Sequence, residues 1–352
     1  MSGTQGTAGE GACYGEALGS LTHILTARRF ARRLAWALSG MLLGLSGCEE
    51  YHLCEAPTAD TGAELPPRLS ETGLFADMGS EALGRDVQPY RPRFEHWADG
   101  ADKRRWVRLP PGARIDSSQM GSWRFPVGTR FWKEFVRDGV RVETRLMEKT
   151  GSEAGDWSFV SYIWNEAGDD ALRSPFGAIN ARGTAHNVPA ATECVGCHGG
   201  TEARALGFSA VQLPSEDEGL DLGELDAAWL TTASRGALTI PGTETEQAVL
   251  GYLHANCAHC HNQDRPPREG PRCFDPEANL DFSLRPKMTS SDESPTFRTV
   301  RAAGVVRPGR PDDSELIDRV STRAFYGAMP PLGTEEVDRE GVALLRRWVA
   351  EL

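Results

Sequence analysis

Two pentapeptides constrain this chain more than anything else in it: Cys194-Val-Gly-Cys197-His198 and Cys257-Ala-His-Cys260-His261. With eight cysteines and eight histidines in 352 residues, two copies of C-x-x-C-H are far beyond chance. The spacing has a mechanical reason. Cysteines at i and i+3 on one helical turn reach both vinyl groups of a single haem and form two thioethers, and the next residue sets its imidazole under the iron. The expected cofactors are therefore two covalently attached haem c groups, with His198 and His261 as proximal iron ligands. A four-thiolate zinc site built from the two C-x-x-C pairs is the rival reading, but it leaves the histidine after each pair without a purpose.

The N-terminus reads as an export signal. Arg28, Arg29, Arg32 and Arg33 precede an uncharged stretch from Leu34 to Gly47. That stretch is too short for a bilayer span of about 20 residues and suits a signal-peptide core. Leu45-Ser46-Gly47-Cys48 resembles the lipobox of bacterial lipoproteins, which makes Cys48 the lipidated residue and 1–47 the signal peptide. Residues 48–67, with Pro57, Pro66 and Pro67, suit a tether. The location expected is the periplasm, lipid-anchored. Glu49, in place of an aspartate after Cys48, leans towards the outer membrane rather than the inner.

The net charge is −12, and cleavage would remove four arginines and only two glutamates. A surface this acidic excludes nucleic acid as a partner and disfavours anionic lipid headgroups. It suits a redox partner protein with a cationic docking face. Acyl chains, not surface charge, would hold the protein to the membrane.

The expected fold class is α+β: a β-rich N-terminal module (68–190), a first haem-binding segment (191–240) and a mainly α-helical domain (241–352). In the first module, Phe131–Val136 and Val140–Met147 flank Asp138-Gly139, a hairpin signal, and Trp157–Trp164 alternates as a further strand. Six tryptophans between Trp97 and Trp164 suit core and edge packing, or else an exposed platform for a sugar or for electron relay. The acidic run 216–226 lacks the ligand order of a calcium loop and reads as a solvated segment.

In the last domain, Thr243-Glu-Thr-Glu246 has the capping-box pattern, and Val249, Leu250, Tyr252 and Leu253 form an apolar face leading to Cys257. A final helix begins near Asp338, and Ser314–Val320 is another helix after the Pro308–Pro311 turn. A first helix ending in C-x-x-C-H and a last helix packed across it resemble the class I cytochrome c fold. Ala328-Met329-Pro330-Pro331 matches that family's distal-ligand loop, which implies Met329 as the sixth ligand of the second haem. Methionine/histidine ligation raises the reduction potential.

The first haem has no such loop. Its distal side stays open between His254, His186, and a five-coordinate or distant-methionine arrangement involving Met120 or Met147. His259 reads as a spacer. Cys54 and Cys273 remain after the haem and lipid cysteines are assigned and could pair in an oxidising compartment.

Trp97-Ala-Asp-Gly-Ala-Asp-Lys-Arg-Arg105, Phe125-Pro-Val-Gly-Thr129, Trp132-Lys-Glu-Phe135 and Glu143-Thr-Arg-Leu146, followed by the two haem motifs and the Met-Pro-Pro loop, resemble a family of exported bacterial dihaem c-type cytochromes. Relatives in that family occur beside or fused to quinoprotein sugar-dehydrogenase modules. The resemblance implies haem binding and electron transfer, so the chain reads as a carrier more than a catalyst. Two alternatives are a dihaem peroxidase-like enzyme with an open first haem and a redox subunit of a sugar dehydrogenase complex.

Overall fold

In a computed structural model, the chain divides after His52, and the second unit is Leu53–Leu352. The described residues are 65–201, 203–213, 220–232, 239–263, 280–285, 287–324 and 327–352, all in the second unit. The signal peptide, Cys48, Cys54, Cys273, residues 216–219 of the acidic run and most of the tether lie outside them.

Among the described residues the chain is α+β. A short hairpin, β1 (Phe75–Asp77) and β2 (Ala82–Leu83), precedes six strands: β3 (Gln88–Pro89), β4 (Asp102–Arg108), β5 (Arg130–Arg137), β6 (Val140–Lys149), β7 (Trp157–Trp164) and β8 (Ala171–Ser174). The six form one antiparallel sheet in sequence order. The β5–β6 turn is the Asp138-Gly139 pair, with φ of 52° and 77°. Those left-handed angles match the strands' twist, and aspartate and glycine tolerate them best.

Because side chains alternate along a strand, the register sorts them into two faces. On one, Val107, Phe131, Met147 and Phe159 stand opposite one another across β4 to β7. The other carries Trp106, Trp132, Leu146 and Val160 over Leu69 and Leu74. Trp106, Trp123, Trp132, Trp157 and Trp164 are buried. Trp97 is half-buried, with its indole N–H given to Asp99 and to the Glu336 carbonyl. The tryptophans are packing residues, not an exposed platform.

Beyond the sheet come α1 (Cys194–His198) and α2 (Leu222–Ala228), then α3 (Glu244–Asn256), α4 (Pro295–Ala303), α5 (Glu315–Val320) and α6 (Arg339–Glu351). The described residues after α1 join the cores of their neighbours. Phe208, Leu213, Leu222, Leu225 and Leu230 pack onto the Phe131–Met147–Phe159 face. The Ile115 N–H donates to the Trp229 carbonyl at 2.7 Å.

Helix α3 starts with the capping box: the Glu246 N–H donates to Thr243 Oγ1 at 3.3 Å, and the Thr243 N–H donates to Glu246 Oε2 at 2.8 Å. Its Val249, Leu250 and Leu253 share a second core with Phe297, Leu345, Trp348 and Val349. Glycines permit the close approaches. A Cβ at Gly341 on α6 would collide with the Tyr252 hydroxyl on α3, and one at Gly251 with the Phe94 ring. Gly251→Val should therefore destabilise the fold by about 1–3 kcal/mol through overpacking. The check is a fall in the urea midpoint at unchanged slope, partly recovered when Phe94→Ala is added.

Candidate functional site

Ala191–Glu193 forms a short 3-10 turn that delivers the chain to α1, and Glu193 braces the approach by accepting the Ala190 N–H at 2.7 Å. Cys194, Cys197 and His198 then occupy a single helical turn. His198 Nδ1 lies 2.6 Å from the Arg204 carbonyl oxygen. A carbonyl only accepts, so Nδ1 carries the hydrogen and Nε2 keeps its lone pair, the arrangement that orients a metal-binding imidazole. Burial, with Lys133 nearby, pushes the His198 pKa down to about 3, so the ring is neutral, as an iron ligand must be. Its ring lies 5.2 Å from that of Phe159. Burial also pushes the Cys194 thiol up to about 12.

Between this turn and the sheet lies a cavity that opens to solvent on one side. Cys194 and His198 line it from above; Phe131, Lys133, Arg145 and Met147 line it from the strands. The residues present fit a haem: free cysteines at the right spacing, a neutral imidazole with the correct nitrogen available, and a floor in which Phe131, Met147 and Phe159 lie beside Lys133 and Arg145.

The second motif follows α3. Cys257 caps the helix, and its carbonyl accepts the N–H groups of Cys260 at 3.0 Å and His261 at 2.8 Å, so the motif stays helically wound. Burial pushes the Cys257 thiol up to about 12. Phe282 packs edge-on against His261 at 5.5 Å, and its N–H donates to the His261 carbonyl at 3.0 Å. The Met329 loop is held by its own neighbours. The Met329 N–H donates to the Arg319 carbonyl at 2.9 Å, and Arg323 donates to the carbonyls of Met329 at 2.6 Å and Pro330 at 3.2 Å.

The two motifs meet. Cys260 Sγ lies 3.8 Å from the Gly196 carbonyl oxygen, and Asn262 Nδ2 donates to the Gly200 carbonyl at 3.0 Å. All four haem-motif cysteines are free thiols. Among the described residues no three His, Cys, Asp or Glu side chains converge on a metal-sized site. The two C-x-x-C pairs touch without forming a four-thiolate cage.

The remaining candidates lie as follows. His186 Nε2 is 2.7 Å from Glu143 Oε1, and the ring lies 5.3 Å from that of Phe135. His254 Nδ1 accepts the Leu284 N–H at 3.1 Å, so the hydrogen of this neutral ring is on Nε2. Burial holds the His254 pKa near 4. Met120 packs at the rim of the sheet core. Of these four, His186, His254, Met120 and Met147, only Met147 lines the cavity with His198.

Two features escape motif reading. His96, whose ring centroid lies 5.8 Å from that of His259, keeps a buried Nδ1 without a hydrogen-bond partner, and burial pushes its pKa well down. A row of cations also crosses the inner face: Arg105 opposite Lys133 opposite Arg145, with Lys103 in the adjoining row. The signal for this row was present, since each cation sits an even number of residues from an inward apolar neighbour, Val107, Phe131 or Met147.

Comparison with curated proteins and with solved structures returned no match. A family described as Planctomycete cytochrome C matches residues 257–333, from the first cysteine of the second motif through the Met329 loop, and supports a cytochrome c-like domain with covalent haem and an electron-transfer role in this part of the chain.

Proposed function

We propose that this chain is a dihaem c-type cytochrome that transfers electrons in the bacterial envelope, exported and lipid-anchored through Cys48. In this reading Cys194 and Cys197 tether the first haem under His198. Cys257 and Cys260 tether the second between His261 and Met329. The iron supplies the redox change; the protein supplies ligands, burial and docking. His186 and His254 act as braces, one for Glu143 and the other for the Leu284 backbone, and the acidic surface docks a cationic redox protein.

The observation that carries the reading is the contact between the two seats. A sulfur of the second seat lies 3.8 Å from the backbone of the first, so haems held by these cysteines would be tethered at neighbouring points. Such neighbours would let one electron pass within a single molecule. The test is to photoreduce a substoichiometric fraction of the haem and follow redistribution between the two spectra. Redistribution at a rate independent of protein concentration is expected; a rate proportional to concentration would sink the proposal.

The assignment of Met329 makes a separate prediction. Met329→Ala should open the second iron to carbon monoxide and lower the potential of one of the two redox steps, since loss of the thioether removes what raises it. Absence of CO binding, with both potentials unchanged, would remove Met329 from the iron.

A further inference from the structure

Among the described residues four large apolar side chains are exposed, and three of them stand between positions 172 and 179: Leu172 at 51%, Phe176 at 92% and Ile179 at 81%. Phe176 and Ile179 belong to the loop after β8, Ser174-Pro-Phe-Gly-Ala-Ile-Asn180, which carries no charged residue. Its backbone is braced. Ala178 and Val188 exchange N–H···O bonds at 2.9 and 2.8 Å, and the Asn180 N–H donates to Asn187 Oδ1 at 2.9 Å. Gly177 has a φ of 69°, and a Cβ there would lie 2.4 Å from the Val188 carbonyl oxygen, so this close approach needs glycine. A braced loop that holds a phenylalanine and an isoleucine out in water marks a contact surface.

What that surface meets follows from where the chain enters the fold. Arg68 bridges Leu172 in antiparallel register, the Arg173 N–H donates to the Pro67 carbonyl at 3.0 Å, and Arg173 Nη1 donates to the Leu65 carbonyl at 2.6 Å. In antiparallel pairing, residues before Arg68 run beside those after Leu172. Followed back towards Cys48, the described chain therefore leaves the fold at the end of β8 where the apolar loop begins. Seventeen residues, Cys48 to Glu64, precede Leu65 and span at most about 60 Å when fully extended. Charge points the same way. In a chain of net charge −12, no acidic residue occurs from Ala171 to Thr192, whereas Arg173 and Arg182 do, and Asp170 is paired with Arg68. This edge lacks the repulsion that the rest of an acidic surface meets at phosphate headgroups.

We propose that the 174–180 loop seats Phe176 and Ile179 against the bilayer that the acyl chains of Cys48 enter, and so sets which face of the protein the membrane meets. This rests on the reading of Cys48 as the acylated residue. Acyl chains alone leave orientation free; a second apolar contact, made at the high local concentration that the anchor imposes, removes that freedom. The Pro175 carbonyl accepts the Ala191 N–H at 2.9 Å, so the seated loop is directly bonded to the turn that leads to Cys194.

The test uses the acylated holoprotein on vesicles of phosphatidylethanolamine and phosphatidylglycerol. Photoreactive benzoylphenylalanine replaces Phe176 or, for comparison, the exposed Glu351 on the last helix, and mass spectrometry reads the adducts. Position 176 should give lipid adducts in large excess over position 351. Ile179→Asp should cut those adducts about tenfold, the loss expected when one isoleucine is withheld from an apolar phase, at unchanged haem count. Equal lipid adducts at the two positions would show an anchored protein with no preferred face and would overturn the proposal. Adducts from 176 to protein, whether to residues 48–64, a second copy or another chain, would overturn it too. So would lipid adducts unmoved by Ile179→Asp, which would trace them to the tether alone. A mature N-terminus without acyl chains on Cys48 would instead remove the reading on which the inference rests.

Discussion

Replacing Cys257 and Cys260 together with serine should leave a chain that matures with one covalent haem in place of two, retained at Cys194 and Cys197. Serine cannot form the thioether, and a haem held only by His261 and Met329 would be lost on denaturation. The effect should reach beyond the cofactor. Cys257 packs at the edge of the core that joins α3, α4 and α6, and Phe282 is held against His261 by both ring and backbone contacts. Losing the ring should therefore loosen this half first and lower its protection from proteolysis. The reciprocal pair, Cys194→Ser with Cys197→Ser, should keep the other haem, and all four serines together should give none. Haem staining on denaturing gels, with mass spectrometry of the haem peptides, reads each outcome. An unchanged haem count in any of these variants would contradict the attachment assignments.

Glu143→Ala should be the most damaging single substitution in the sheet. Glu143 is fully buried and serves both Arg145 and His186. Its removal leaves a guanidinium under the sheet without its counter-charge, a loss of about 3–5 kcal/mol for breaking a buried pair from one side. The same carboxylate sets an acid limit. Burial opposes its charge, but Arg145 and His186 outweigh burial and bring its pKa from 4.5 down to about 2. A group whose pKa is lowered on folding contributes stability that is fully present above its unfolded pKa. That contribution is lost as the pH falls through the folded value. Wild-type stability should therefore decline between about pH 4.5 and pH 2, and Glu143→Gln should show a smaller decline over that window. Urea midpoints measured across it test both statements; parallel curves for wild type and Glu143→Gln would rule out this carboxylate as the cause.

Much of the local structure was legible because local chemistry decides it. Asp138-Gly139 tolerates two left-handed residues, and Thr243 with Glu246 closes a capping box whatever packs nearby. The final helix begins at Arg339, with the Asp338 carboxylate accepting the Gly341 N–H at 2.8 Å. What stayed hidden depends on residues far apart in sequence. Phe208 shows no periodicity, yet it fills the sheet core beside Phe131 and Trp123. The contact of Cys260 with Gly196 spans 64 residues. Sequence cannot say which ring nitrogen of His254 is engaged; the Leu284 N–H engages Nδ1. The cation row was masked by composition, since Lys103, Arg105, Lys133 and Arg145 each look like surface residues until strand register places them on one inner face.

The most direct test of the account is the number of covalent haems per polypeptide, measured by pyridine haemochrome on the chain matured in a host that assembles a control c-type cytochrome. Two haems with a c-type α-band are predicted. One haem would confine cytochrome chemistry to one half of the molecule, and none would contradict the electron-transfer account.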